Sequence, residues 1–264
     1  MKNPKIELTP KKIVTFFGFI ATCLIITHFL MFIPKHTLSH NKITDLLFLF
    51  NLDAEQNIPT FFSTVLILSC SLQLFMISAL QDEDSKHTSL WLSLALIFLF
   101  LSFDESASFH ERLTRPLRAM LHTSGIFFLA WVIPYTILVG FMTIYYVPFF
   151  FKLPKHPRNL MFIAAILYLS GVLGVEMMSG WYWDKSGQRN LIYDLLATCE
   201  EVLEIAGLIT FQYALFVYMR GEWTHVHIQL TVGKDSEPAL PTEHASSPNL
   251  LLSRKLPSEG DPTR

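Results

Sequence analysis

Charge is scarce in this sequence. Only 16% of its 264 residues are Asp, Glu, Lys or Arg, while 51% are hydrophobic. Soluble domains carry about 25% charged residues, so the composition excludes an ordinary soluble domain and points to a membrane protein. The formal net charge is −2. With no basic surplus, nucleic acid is excluded as a partner. Cysteine is rare as well. Cys23, Cys70 and Cys199 lie in apolar stretches with no CxxC spacing, so they read as small core residues rather than a redox pair. There is no phosphate loop, no nucleophile elbow and no histidine-rich desaturase box. The first apolar run, residues 13–33, follows Lys2, Lys5, Lys11 and Lys12 but lacks a small-residue cleavage site. It reads as a retained span rather than a signal peptide.

Long apolar runs are what the chain has in abundance. A bilayer crossing needs about 20 residues, and six segments qualify: 13–33, 58–80, 89–103, 125–151, 160–180 and 191–219. The third is short unless its helix continues into the polar stretch that follows. Nothing breaks a helix there before Pro116, so the helix is expected to run on and leave the hydrocarbon near Asp104. The expected fold is all-α, a six-span transmembrane helix bundle over residues 13–220. A cytoplasmic segment, 1–12, precedes it, and a cytoplasmic, mostly disordered tail, 221–264, follows. Residues 223–232 alternate apolar and polar and read as one short strand. Residues 233–264 have too little apolar content to fold alone. Lysines at the N-terminus and at Lys152, Lys155 and Arg158 fall on one side of a six-span chain, which makes that side the cytoplasm. The chain is therefore expected to lie in its membrane N-in and C-in. Arg112, Arg115 and Arg118 run against that assignment.

The informative residues are acids. Asp53, Glu55 and Asn57 precede the second span. Asp104, Glu105, His110 and Glu111 end the third. Glu176 is near the end of the fifth, and Asp194, Glu200, Glu201 and Glu204 are in the first half of the sixth. Odd spans run one way and even spans the other, so all four clusters share one leaflet, whichever side that is. On the sixth helix the four acids occupy about 120° of arc. Glu204 lies about 20 Å along it from Leu191, where an unpaired carboxylate is costly. On the third helix Asp104, Ser108, Glu111 and Arg115 share a face, with Glu111 and Arg115 spaced for an ion pair. Ser106 and His110 share a second face. Glu105 falls outside the expected site.

Several carboxylates in a low-dielectric site cannot all ionise. A cation, protons or arginines must neutralise them. Mixed oxygen and imidazole donors suit zinc, iron or manganese. The expected metal ligands are His110, Glu200, Glu204, Glu201 and Glu176, with Asp104 or Glu111 as general base. Asp53, Glu55 and Asn57 read either as a calcium loop at a second site or as a cap on the second span. Ser170, Gly171 and Gly174 would let the fifth span pack closely. Trp181, Tyr182 and Trp183 read as an interfacial aromatic belt. His225 and His227 fall on the opposite side from the acids and are not expected to be ligands.

Two resemblances rest on these motifs. The segments Asn51-Leu-Asp-Ala-Glu-Gln-Asn-Ile-Pro-Thr-Phe-Phe-Ser63, Phe103-Asp-Glu-Ser-Ala-Ser-Phe-His-Glu-Arg-Leu113 and Glu200-Glu-Val-Leu-Glu-Ile-Ala-Gly207 resemble those of bacterial multi-pass membrane proteins of no known activity. More distantly, the Asp53/Glu55/Asn57 loop followed by Ser106-x-x-x-His110 resembles alkaline ceramidases and adipoQ-type receptors. That resemblance implies a calcium loop, a zinc site and amide-hydrolase chemistry. The last span departs from it, with Glu200-x-x-x-Glu204 where that superfamily has two histidines, and six spans stand in place of seven. The functional readings are a metal-dependent hydrolase acting on a membrane lipid, a structural or assembly subunit, and a proton- or cation-coupled transporter.

Overall fold

A computed structural model describes residues 9–37, 48–81, 86–226 and 252–254. Its helices are α1 (Pro10–Thr37), α2 (Ile58–Ala79), α3 (Lys86–Ala107), α4 (Phe109–Leu121), α5 (Val132–Phe150), α6 (Lys155–Leu169), α7 (Glu176–Ser186) and α8 (Leu191–Glu222). A 3-10 turn at Gly125–Phe127 precedes α5, and a π-helical turn at Ser170–Val175 joins α6 to α7. Six helical stretches are long and apolar enough to cross a membrane: α1, α2, α3, α5, α6 to α7 as one, and α8. The chain is thus all-α over the bundle, a multi-pass membrane architecture. Trp223–Val226 pairs antiparallel with Leu252–Arg254. The expected strand forms over its first four residues, and the second strand falls in the segment expected to lack structure. The expectations for residues 1–8, for residues 227–251, His227 included, and for residues 255–264 lie outside the described residues.

Small polar side chains fasten the spans. Ser71 Oγ donates to Ala95 O at 2.8 Å and Ser102 Oγ to Thr64 O at 3.1 Å, both between α2 and α3. Ser93 Oγ and Tyr146 OH, 2.7 Å apart, join α3 to α5. Bonds of this kind replace the hydrophobic drive that helices lack inside lipid. A core of Leu24, Leu52, Phe62, Leu66, Ile205 and Leu208 gathers α1, α2 and α8. His28 ties the same elements together. Leu52 N–H donates to its Nδ1 at 3.1 Å, and its Nε2 meets Thr198 Oγ1 at 2.9 Å. Since Nδ1 accepts, the ring is the neutral Nε2–H tautomer.

Glycine sets the closest crossing. A Cβ at Gly207 would lie 2.7 Å from Tyr168 N, and one at Gly171 2.8 Å from Glu200 O. The fifth and sixth spans therefore touch backbone to backbone, as expected for Gly171. Gly174 is different: a Cβ there would meet nothing within 4 Å.

Two helix boundaries differ from expectation. The third helix does not run to Pro116. It ends at Ala107, Ser108 turns left-handed (φ 54°, ψ 43°), and α4 begins at Phe109 and continues through Pro116. Two side-chain contacts hold the turn. Asp104 Oδ1 accepts the His110 backbone N–H at 3.2 Å, and Ser108 Oγ donates to Glu55 Oε2 at 3.1 Å. A carboxylate at an exposed helix N-terminus satisfies free amides and complements the dipole. The fourth span starts at Val132 rather than 125, because residues 125–131 are spent on the 3-10 turn and the residues that follow it.

Candidate intramembrane site

Asp104 organises the site. Its Oδ1 accepts Tyr135 OH at 2.8 Å as well as the His110 amide, and its Oδ2 lies 3.0 Å from His110 Nδ1. Three of its roughly four lone-pair sites are in use, so it orients Tyr135 and His110. The His110 ring lies against Trp131, centroids 4.7 Å apart. Burial alone would push its proton off. The hydrogen bond and charge of Asp104, with Glu105 and Glu55 behind, outweigh burial and raise its pKa to about 9. Nδ1–H is committed to Asp104, which leaves Nε2 for the cavity.

That cavity has a volume of about 1080 Å³, at the upper end of the roughly 300–1,000 Å³ typical of small-molecule sites. It is layered. Arg112, Arg115, Arg118 and Arg189 stand at one end. Asp104, Glu105, His110, Glu176, Glu200, Glu201 and Glu204 line the middle. Leu94, Phe98, Met142, Phe150, Met161 and Phe211 line the other end. The apolar part follows α5 from Leu138 to Phe150, about 18 Å at 1.5 Å per residue.

The middle layer is strongly acidic. Nine carboxylates face four arginines and one histidine around the cavity. Glu204 has Glu105, His110, Glu176 and Glu55 as charged neighbours, and Glu200 lies against Glu176. Glu176 is held by Trp131 Nε1–H at 2.9 Å and by the Ser179 hydroxyl at 3.3 Å. The π turn before it positions this carboxylate. An extra residue in the turn rotates everything after it by about 100°. Outside the spans, Glu55 is raised above its ordinary 4.5 by burial and then by the charge of Glu111, against the Ser108 hydroxyl and His110.

The structure brings together His110, Asp104, Glu111, Glu176, Glu200, Glu201 and Glu204, with Asp53 and Glu55 on the same cavity. Several expectations change in detail. Asn57 takes the capping role. Its Oδ1 accepts Thr60 N–H at 3.1 Å while its amide donates to Phe48 O and Asn51 O. Asp53 pairs with Arg189 at 3.6 Å and Glu55 accepts from Ser108. The three oxygen side chains of the supposed calcium loop thus serve three different partners. Glu105, left out of the expected site, lines the cavity, whereas Asp194 and Ser106 do not. The helical phase counted from Asp104 is lost at the left-handed Ser108, so the shared face of Asp104, Glu111 and Arg115 does not exist. No Glu111–Arg115 ion pair forms. Trp183 is not a lipid-facing belt residue either. It lines the cavity under the Arg189 guanidinium, 4.4 Å from the ring centroid. Among the described residues no three His, Cys, Asp or Glu side chains close on one point as metal ligands would.

Sequence reasoning singled out neither Trp131 nor Tyr135. Their signal was faint: two aromatics with polar tips, four residues apart in an apolar run, on one helical face. Nor did it find His28, whose signal was a lone histidine inside a span.

A sequence family described as a domain of unknown function (DUF8692) matches residues 17–219, and the chain belongs to it. No curated protein and no solved structure matches the chain.

Proposed function

We propose that this membrane protein is a metal-dependent hydrolase that acts on a lipid, with the scissile bond held in the acid layer and the acyl chain in the apolar shaft. The observation that carries this is the cavity itself, which joins a dense carboxylate and histidine layer to a shaft lined mostly by apolar side chains, with only Thr143 and Tyr146 polar along α5 from Leu138 to Phe150. Acids serving only to fasten helices would face one another across packed interfaces. Here Asp104 and Glu176 also tie elements together through Tyr135 and Trp131, but the nine acids all line one open cavity. A transport path would need a chain of polar groups beyond the acid layer, where the shaft offers only Thr143 and Tyr146 among Leu94, Phe150, Met161 and Phe211.

Nine carboxylates against five basic groups leave a negative excess that a divalent cation would reduce, with protons on the remaining acids. The donors suit zinc, iron or manganese. His110 has the arrangement usual for a metal-ligating histidine, with its other ring nitrogen held by a carboxylate. Among the described residues no three such side chains converge on one point, so His110, Glu105, Glu200 and Glu204 would have to draw together to hold the ion, which would take the place of the proton on Nε2. When bound, it would polarise the scissile carbonyl and activate water. Asp104 and Tyr135 fix the imidazole. Glu111, lining the cavity without a salt-bridge partner, is the base left free to take a proton. The distant resemblance of the Ser106–His110 segment to alkaline ceramidases agrees with hydrolysis, although Ser106 lies off the cavity.

The test is metal analysis of the full chain purified in detergent. Stoichiometric zinc, iron or manganese is expected, and Glu204→Gln should lower metal content and melting temperature together. No metal in the wild type, with Glu204→Gln unchanged or more stable, would show that protons neutralise the layer and would overturn the metal reading.

A further inference from the structure

The arginines at the cavity mouth do not behave alike. Arg189 is neutralised by Asp53 and stacked on Trp183 and Tyr193. Arg118 lies over the Phe128 ring at 4.3 Å. The Arg112 and Arg115 side chains have no ion pair and no hydrogen bond among the described residues. Both line the cavity and are exposed. Glu111, beside them in sequence, is not in ion-pair range of either. Positions 112, 115 and 118 fall within about 120° of one helix face, so α4 presents a column of guanidinium groups to the cavity.

Thr114, about 100° around the helix from Arg115, lines the same cavity from the buried side of α4. It is 9% exposed, and its buried Oγ1 has no partner. A buried hydroxyl without a partner carries a desolvation cost that a ligand oxygen would relieve. Two unneutralised guanidinium groups and an unused hydroxyl donor, all on one cavity, make an anion site. Arginine's planar fork matches phosphate oxygens in particular.

We infer that the cavity mouth is a phosphate site, and that the lipid admitted is a phospholipid whose phosphate is held by Arg112, Arg115 and Thr114. This rests on the proposed lipid reading and narrows its substrate class. The order of layers selects phospholipid over fatty acid. In a phospholipid the phosphate stands above the acyl esters and the chains lie below them. Guanidinium groups, acid layer and apolar shaft follow that order. A fatty acid gripped at the mouth by its carboxylate would place only methylenes against the acids, with no bond there to hydrolyse.

The experiment uses the full chain in a neutral detergent. It measures the lipid retained after exposure to phosphatidylglycerol or to diacylglycerol with the same acyl chains. Phosphatidylglycerol should be retained about tenfold better, the scale of lost charge-assisted hydrogen bonds. The double variant Arg112→Gln/Arg115→Gln should abolish that preference while leaving diacylglycerol retention and metal content unchanged. Ala165→Phe, which narrows the shaft lined by Ala165, should lower retention of both lipids. Equal retention of the two lipids by the wild type would overturn the phosphate site but leave the lipid reading standing. Retention of neither would sink the lipid reading itself. If phosphatidylglycerol survives Ala165→Phe while still depending on the arginines, the phosphate is bound at the surface of α4 and the proposed continuity is wrong. A rise in melting temperature with millimolar inorganic phosphate alone, matching that with phosphatidylglycerol, would assign the site to free phosphate instead.

Discussion

At the scale of single residues, the site is a set of carboxylates distinguished by what each one touches. Asp104 has its oxygens bonded by Tyr135 and His110. Glu176 is gripped by Trp131 and Ser179. Glu55 has the Ser108 hydroxyl but also the nearby charge of Glu111. Residue type and spacing told that acids would meet. They did not tell which acid would orient and which would stay free, because that depends on Tyr135 and Trp131 from another span. Glu55 gives a test. Its folded-state pKa lies above the ordinary 4.5, so ionising it costs the folded protein. That cost is absent below pH 4.5, the unfolded value, and grows as pH rises through the folded one. Glu55→Gln removes the charge but keeps an acceptor for Ser108. The variant should therefore melt higher than the wild type at pH 8, with the gain shrinking steadily as pH falls to 5. A variant that melts lower at pH 8 would mean that the ionised carboxylate is the favoured form, held by a cation.

At the scale of elements, three local irregularities shape the cavity: the left-handed Ser108, the π turn at Ser170–Val175, and the Gly171/Gly207 crossing. The spans themselves were legible, since hydrophobic length alone reveals a crossing. The irregularities were not. A single left-handed serine has no sequence signature, and a π turn adds one residue to a helix without altering its composition. The two glycines differ from Gly174 only in what lies opposite, which no span reveals by itself. Substitution separates them. Gly207→Ala and Gly171→Ala each press a methyl into backbone at 2.7 and 2.8 Å, which forces the helices apart at a cost of about 1–3 kcal/mol. Gly174→Ala meets open space and gains helix propensity of at most about 1 kcal/mol. Thermal melts of the three variants should put Gly174→Ala at or above the wild type and the other two clearly below it. Equal effects at all three positions would show that helix propensity, not the crossing, sets the result. On the proposed metal reading, Gly171→Ala should also lower metal content, because its Cβ would meet Glu204 Cγ at 3.0 Å.

At the scale of the whole molecule, parity did most of the work. Six crossings put the ends of the third and fifth spans and the starts of the second and sixth at the same end of the bundle, and the acids there do line one cavity. Parity says nothing about which leaflet that is. The direction rests on lysine at the N-terminus and on Lys152, Lys155 and Arg158, which favour the cytoplasm for the end opposite the acids. The unpaired arginines of α4 pull the other way. The positive-inside rule counts residues whose free charge resists translocation, and Arg112 and Arg115 have that charge, so the sequence pattern is divided and only labelling decides it. Ser186 ends α7 on the acid side, and Lys152 stands in the exposed turn between α5 and α6. In a cysteine-free background, a membrane-impermeant thiol reagent added to intact cells should label Ser186→Cys and spare Lys152→Cys. The opposite pattern would put the acid layer and its arginines in the cytoplasmic leaflet. On the proposed phospholipid reading, the outcome also fixes the source of the substrate. With the mouth facing outward, a phospholipid must come from the outer leaflet of the same membrane, and reversing the labels would move that source to the inner leaflet without changing one contact in the cavity.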